Sequence, residues 1–384
     1  MSYPSHRFAL LRPCVVLAAA ACAFSTGASA QSSISIYGAL DVYVGSQSAT
    51  GMSSRKVLGN SLNPSALGFA GTEALGDGMS AGFVLEGQPA LDTGATGQGN
   101  KMFGRQSLVY LNGDFGRVTL GRVHLPGRAF GIKYSASGWL TTDPLGNLAI
   151  AGGSSLAPVM NVDSVGSRVS NAVMYSTPRI GGFSATLVQS AGEGSTFASG
   201  SAKLTQLGAG YTAGAFATDL VYSKIPAVAG SQLEQTDVAI GAQYTLSGVK
   251  LMASYFSHQG WSVASAGATS ALAGSKATDR TYVIGASWPV GPHTLGFSYG
   301  KLDVADAHRG RRAANMSAPF SAVVDDTTGW SLAYSYALSK RTQLFAAYGT
   351  LDNGSQGQAS ITADLRPTSG GKSTLVASGI RHSF

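Results

Sequence analysis

The chain closes on Ser373-Thr374-Leu375-Val376-Ala377-Ser378-Gly379-Ile380-Arg381-His382-Ser383-Phe384. Val376, Ile380 and Phe384 fall on one parity, and Gly379, Arg381 and Ser383 on the other. A two-residue period of this kind marks a β-strand with one apolar and one polar face. Terminal residues of soluble domains usually fray, yet here an aromatic residue ends the strand in register. A sheet whose first and last strands must pair to close a barrel requires such a terminus.

At the opposite end, Arg7 and Arg12 precede an apolar stretch from Cys14 to Phe24, followed by Ala28-Ser29-Ala30. A basic lead, a short apolar run and a small-residue cleavage site make up a secretory signal peptide. Residues 1–30 are therefore expected to be cleaved, leaving 31–384 as one transmembrane β-barrel domain. Cleavage takes away both cysteines, Cys14 and Cys22, so the mature chain would have neither disulfides nor thiolate chemistry. It also takes away two arginines and no acid, lowering the formal charge from +7 to +5.

Only 12% of residues are charged, against roughly 25% in soluble domains. No later segment approaches the ~18–20 continuous apolar residues of a spanning helix. An exported, weakly charged chain without such helices satisfies its backbone in lipid by closing a barrel. Fifty-one glycines suit turns, loops and a lumen wall better than helix interiors.

Alternating segments recur at Ser33–Ser46, Ala66–Thr72, Ser80–Gly87, Phe103–Asn112, Arg117–Arg122 and Arg168–Ser176. They continue at Gly182–Ala191, Ala202–Thr212, Phe216–Lys224, Thr236–Leu246 and Val249–His258. The last five are Arg280–Trp288, His293–Lys301, Gly329–Leu338, Arg341–Thr350 and Ser373–Phe384. Sixteen antiparallel strands are thus expected, an even number as in bacterial single-chain barrels. Trp330, Leu332, Tyr334 and Tyr336 oppose Ser331, Ala333, Ser335 and Ala337, a lipid face against a wet wall. A soluble sandwich also alternates, but its buried face needs bulk and its exposed face more charge. Tight joins such as Ser247-Gly248 and Ser339-Lys340 alternate with long stretches such as Gln259–Asp279 and Asp303–Thr328, the pattern of short inner turns and long outer loops.

The longest excursion, Val123–Ser167, carries His124, Arg128, Lys133, Trp139, Asp143 and Asp163. Loops of this length are usually functional, and in a barrel one can fold inward and narrow the pore.

Taken in order, these blocks resemble the trimeric, sixteen-stranded general porins of beta-proteobacterial outer membranes. The likeness is carried by Ser33-Ile34-Ser35-Ile36-Tyr37-Gly38-Ala39-Leu40-Asp41, by Gly68-Phe69-Ala70-Gly71-Thr72-Glu73-Ala74-Leu75-Gly76-Asp77-Gly78, and by Phe103-Gly104-Arg105-Gln106 leading to Phe115-Gly116-Arg117-Val118-Thr119-Leu120-Gly121-Arg122. Arg168-Val169-Ser170-Asn171-Ala172-Val173-Met174-Tyr175-Ser176 and the terminal Gly379–Phe384 complete it. The resemblance implies a homotrimer in contact with outer-membrane lipid and lipopolysaccharide, passing ions and small hydrophilic solutes without a cofactor. It also implies a wall cluster of arginines facing the inward loop and favouring anions. Arg105 and Arg168 match two of its positions, Arg122 matches the motif while sharing parity with Val118 and Leu120, and Ala66 stands where the family often has arginine. Arg128, Lys133 and Asp143 are the loop's expected contribution to the constriction.

The rival classes are a substrate-specific channel and an enzymatic or adhesive barrel. Tyr37, Tyr43 and Phe345 share inward parity and leave the first open. His124, His258, His293, His308 and His382 lie in no nucleophile motif, and neither a phosphate-cradling loop nor a His-Glu-x-x-His motif occurs. Asp325-Asp326 in a long loop reads as a solvated turn. No basic, aromatic-interleaved patch points to nucleic acid.

Overall fold

The computed structural model describes residues 33–59, 64–138, 141–150, 167–192, 203–226, 234–260, 263–265, 276–313, 323–362 and 365–384. The expected signal segment, Trp139, Asp163 and most of the Gly-rich middle of the long loop lie outside them.

Sixteen antiparallel strands form one closed wall. They are β1 (Ser33–Ala49), β2 (Ala66–Gly76), β3 (Met79–Gly87), β4 (Gln106–Gly113), β5 (Gly116–His124), β6 (Arg168–Ser176), β7 (Phe183–Ser190) and β8 (Leu204–Ala213). The second half is β9 (Phe216–Ile225), β10 (Gln235–Leu246), β11 (Val249–Gln259), β12 (Thr278–Val290), β13 (His293–Asp303), β14 (Thr327–Ala337), β15 (Thr342–Asn353) and β16 (Lys372–Ser383). Each pairs with its sequence neighbour, and β16 returns to β1 from Ala39↔Ser383 to Ala49↔Ser373. The final residue completes the seam: Phe384 N–H donates to the Gly38 carbonyl at 3.0 Å, and Gly38 N–H donates to the Phe384 carbonyl at 3.2 Å. Closure leaves no edge, the condition for placing a sheet in lipid.

The sequence periodicity missed three short strands. Arg55–Gly59 pairs with the outer half of β1, and Val263–Ser265 pairs with Arg311–Ala313 between two long loops. Among the described residues no helix is long and apolar enough to cross a membrane.

The two faces separate as alternation requires. Leu295, Phe297, Tyr299, Trp330, Leu332 and Tyr334 project outward and are exposed, as a lipid-facing belt must be. His293 bonds Tyr334 and His382 bonds Thr342 on that same face. Inward positions of β14, and of β13 from Thr294 to Gly300, are small, but other inward residues are bulky: Phe256, Leu302, Leu351 and Leu375 are fully buried or nearly so. These large residues form two apolar clusters with loop segments that fold inside the wall. Asp325 is likewise buried rather than solvated; it accepts from the Gln356 N–H at 2.9 Å and ion-pairs with Arg309, fastening one loop to the next.

Candidate constriction site

After β5 the chain turns inward through a nine-residue helix, Pro126–Tyr134. Pro126 sits at its first position, where the missing N–H costs nothing and the fixed φ suits the helix. One face is buried through Gly127, Arg128, Phe130, Gly131 and Tyr134, leaving Ala129 and Ile132 exposed. Phe130 packs on Tyr134 and on Phe256 of β11. Small wall residues make room for this bed. A Cβ on Gly208 of β8 would lie 2.7 Å from Pro126, and one on Gly241 of β10 would lie 2.7 Å from the Tyr134 ring. Further on, Gly285 and Gly296 lie under Ala136, Gly300 under Pro144 and Leu148, and Gly349 under Thr142. The loop therefore runs along the inner wall from β8 to β15.

Polar groups fix it there. Gly127 N–H donates to Gln206 Oε1 at 2.7 Å. The Tyr134 hydroxyl lies 2.6 Å from Asp219 Oδ2 and 3.0 Å from the Gly241 carbonyl, and Lys133 ion-pairs with the same Asp219 carboxylate. Burial, followed by the hydrogen bond and charge of Asp219, raises the Tyr134 phenol above its ordinary value. Asp143 is fully buried. It accepts from Ser135 Oγ at 3.0 Å, Ser137 Oγ at 2.9 Å and Leu145 N–H at 2.9 Å, and from Ser298 Oγ of β13 at 2.9 Å. This carboxylate is an internal fastener, with its oxygens turned to the loop and the wall rather than to open lumen.

The arginines gather where the loop leaves the wall. Arg105, just before β4, donates through Nε to Glu86 Oε1 of β3 at 2.5 Å, and Tyr37 of β1 donates to Glu86 Oε2 at 2.9 Å. Arg122 donates through Nε to the Gly104 carbonyl at 2.7 Å and through Nη1 to Ser170 Oγ at 3.0 Å. Arg168 opens β6, is fully buried and donates through Nη1 to Ser167 Oγ at 3.1 Å. Arg128 is buried on the loop helix. Register pairs His124 with Arg168, Arg122 reaches the carbonyl of Gly104 beside Arg105, and Arg128 borders the same recess as His124, so the four arginines gather around the end of β5. Lys133 and Asp143 stand apart from it, bonded to the wall. Ala66 is buried opposite Ala39.

The β5–β6 pair is bulged beside Arg122, while the β4–β5 register runs unbroken to Ser107↔Arg122. From Gly121↔Ala172 to Val123↔Val169, β5 advances two residues while β6 advances three, and Asn171 takes φ +54°. Simple alternation puts Arg122 in the outward row of Val118 and Leu120; here it is enclosed, only 6% exposed, against Gly104 and Ser170. The bulge brings Ser170 to the Arg122 guanidinium. Glu86 belongs to the cluster by its bonds to Arg105 and Tyr37, and alternation alone does not single it out, although a lone carboxylate after Phe83-Val84-Leu85 is the signal that marks it.

A closed sixteen-stranded wall, an apolar outer belt and a charged cluster beside an inward loop define a transmembrane pore-forming barrel. The chain belongs to the Gram-negative porin family, whose model matches residues 17–356. It is 30% identical to outer membrane porin protein 32 of Delftia acidovorans, over 96% of this chain and 99% of that protein. It is 26% identical to an outer membrane porin protein of Bordetella pertussis, over 97% of this chain and 100% of that protein. Among solved structures, an anion-selective porin from Comamonas acidovorans matches with a TM-score of 0.69 at 26% identity, covering 92% of this chain and 100% of that one. An outer membrane protein of Vibrio cholerae in trimer form shares the fold, with a TM-score of 0.59 at 13% identity over 92% of this chain and 99% of that one.

Proposed function

We propose that this porin is a passive diffusion channel for ions and small hydrophilic solutes with a preference for anions. The observation that carries the reading is the gathering of Arg105, Arg122, Arg128 and Arg168 at the end of β5, with Glu86 bonded to the first of them. Arginine does not deprotonate at any relevant pH, so four guanidiniums set against the Glu86 carboxylate leave the group positive. Fixed cations in a narrow lumen raise the local anion concentration and lower that of cations. The anion selectivity of the Comamonas porin supports the same preference here.

The functional unit is a homotrimer in the outer membrane, surrounded by lipid and lipopolysaccharide and reached through cleavage of residues 1–30 as a signal peptide. The trimeric form of the Vibrio structure supports the assembly.

Planar-bilayer recording of the purified, refolded protein across a KCl gradient tests the reading. Current steps in groups of three with a chloride-favouring reversal potential are expected. A potassium-favouring reversal would remove the arginine cluster from the selectivity mechanism, and silence from a verified folded barrel would remove the channel itself.

A further inference from the structure

A recess of about 430 Å³ opens between the loop helix and the inner wall of β6–β9. Its polar and apolar parts are separated. His124 and Arg128 lie at the end where the helix begins, while Ile132 and Met174 supply apolar surface further along. Ile132 is 52% exposed on a helix that stands inside a barrel lumen. A water-washed helix face has no structural need for a branched apolar side chain, since the helix is already anchored by the buried rings of Phe130, which also borders the recess, and Tyr134. The far end is closed by Lys133, whose charge is taken up by Asp219. One end therefore carries the positive field of the arginine cluster, the middle offers apolar contact, and the other end is electrically neutral.

We propose that this recess is a binding station for organic anions with an apolar body, of the class of small aromatic or branched monocarboxylates. The carboxylate faces Arg128 and His124, and the hydrocarbon part lies along Ile132 and Met174. Such a site sorts solutes by more than charge: a benzoate-like anion dwells there, whereas chloride or acetate gains only the electrostatic part. The inference rests on the porin reading for its biological sense, but its test does not depend on conduction.

The test is ¹⁹F NMR of 4-fluorobenzoate and of trifluoroacetate with the folded, detergent-solubilised protein, each referenced to protein-free micelles. The KCl conductance of the same preparation is recorded in bilayers. Saturable broadening of 4-fluorobenzoate at concentrations at least about tenfold below those needed for trifluoroacetate is expected. Ile132→Ser, at an exposed position, should weaken fluorobenzoate about tenfold while leaving trifluoroacetate binding where it was. Arg128→Gln should weaken both probes, and Met174→Ser repeats the apolar test from the wall side. Equal binding of the two probes, or fluorobenzoate binding indifferent to Ile132→Ser and Met174→Ser, overturns the station while a normal conductance leaves the porin reading intact. Selective binding by a protein that does not conduct would uphold the station and overturn the porin reading.

Discussion

Arg105 and Glu86 form a nearly water-free ion pair, Nε to Oε1 at 2.5 Å, inside the arginine cluster. Burial of both partners makes the pair more than a surface contact. Glu86 cancels Arg105 at short range, and it is also tied to Tyr37 across three strands. The cluster is therefore tuned down by one carboxylate.

Glu86→Gln should accordingly raise the preference for chloride. A unit charge about 4 Å away in a water-like medium is worth about 1 kcal/mol, or roughly fivefold in local anion occupancy, and less after screening by salt. The reversal potential in a KCl gradient measures it. An unchanged value would place the Arg105–Glu86 pair outside the ion path.

Charge reversal in the cluster should act in the opposite sense. Arg105→Glu faces Glu86 with a second carboxylate, whereas Arg168→Glu replaces a guanidinium seated on the Ser167 hydroxyl. Both should shift selectivity toward potassium. Because Arg168 is fully buried, Arg168→Gln serves as the folding control, read by heat-modifiable migration before any current is recorded.

Much of this was legible in the residues. Strand number, closure at Phe384 and the inward and outward rows follow from a two-residue period, which depends only on neighbours in sequence. What alternation cannot reveal is set by contacts between distant segments. Arg122 keeps its pairing with Ser107 yet is enclosed by the Gly104 carbonyl and by Ser170 beside the Asn171 bulge, a property of neighbouring strands rather than of β5 itself. Phe256, Leu302 and Leu351 look out of place on a wet wall until the loops packed against them are taken into account. Asp143 reads as an acidic loop residue and is an internal fastener, because its partner Ser298 lies 155 positions away.

That fastener gives a prediction of its own. Asp143→Asn replaces one acceptor oxygen by a donor amide, so either Leu145 N–H loses the acceptor at Oδ1 or the Ser135, Ser137 and Ser298 hydroxyls lose the one at Oδ2. Hydrogen bonds to a charged acceptor contribute about 1.5–3 kcal/mol each. The loop should loosen without loss of the barrel, seen as noisier single-channel current and faster protease cutting within the loop. Ser298→Ala, which removes one donor and leaves the carboxylate its others, should show the milder form of both effects.

The Tyr134 contact predicts an alkaline limit. The fold holds the neutral phenol, so its raised proton affinity contributes stability that is complete below the ordinary phenol value of about 10. It is lost as pH rises past that point toward the raised value. Current noise should therefore increase reversibly above about pH 10 in the wild type. Tyr134→Phe should show the loosened state at neutral pH and a flatter response to alkali, since the Asp219 bond is gone from the start.

Gly241 sets how closely the loop helix can lie against the wall. A Cβ there would come within 2.7 Å of the Tyr134 ring and 2.8 Å of the Phe130 ring, both buried and confined by Phe256 and Asp219. Neither ring can retreat into the sheet, so Gly241→Val must push the helix toward the lumen, at about 1–3 kcal/mol of overpacking. A smaller single-channel conductance is expected, with the barrel still formed. Ala242→Val is the matched control: it adds the same kind of bulk one residue along β10 but on the outward face, where lipid yields. Equal conductance in the two variants would mean that the helix does not narrow the path of the ions.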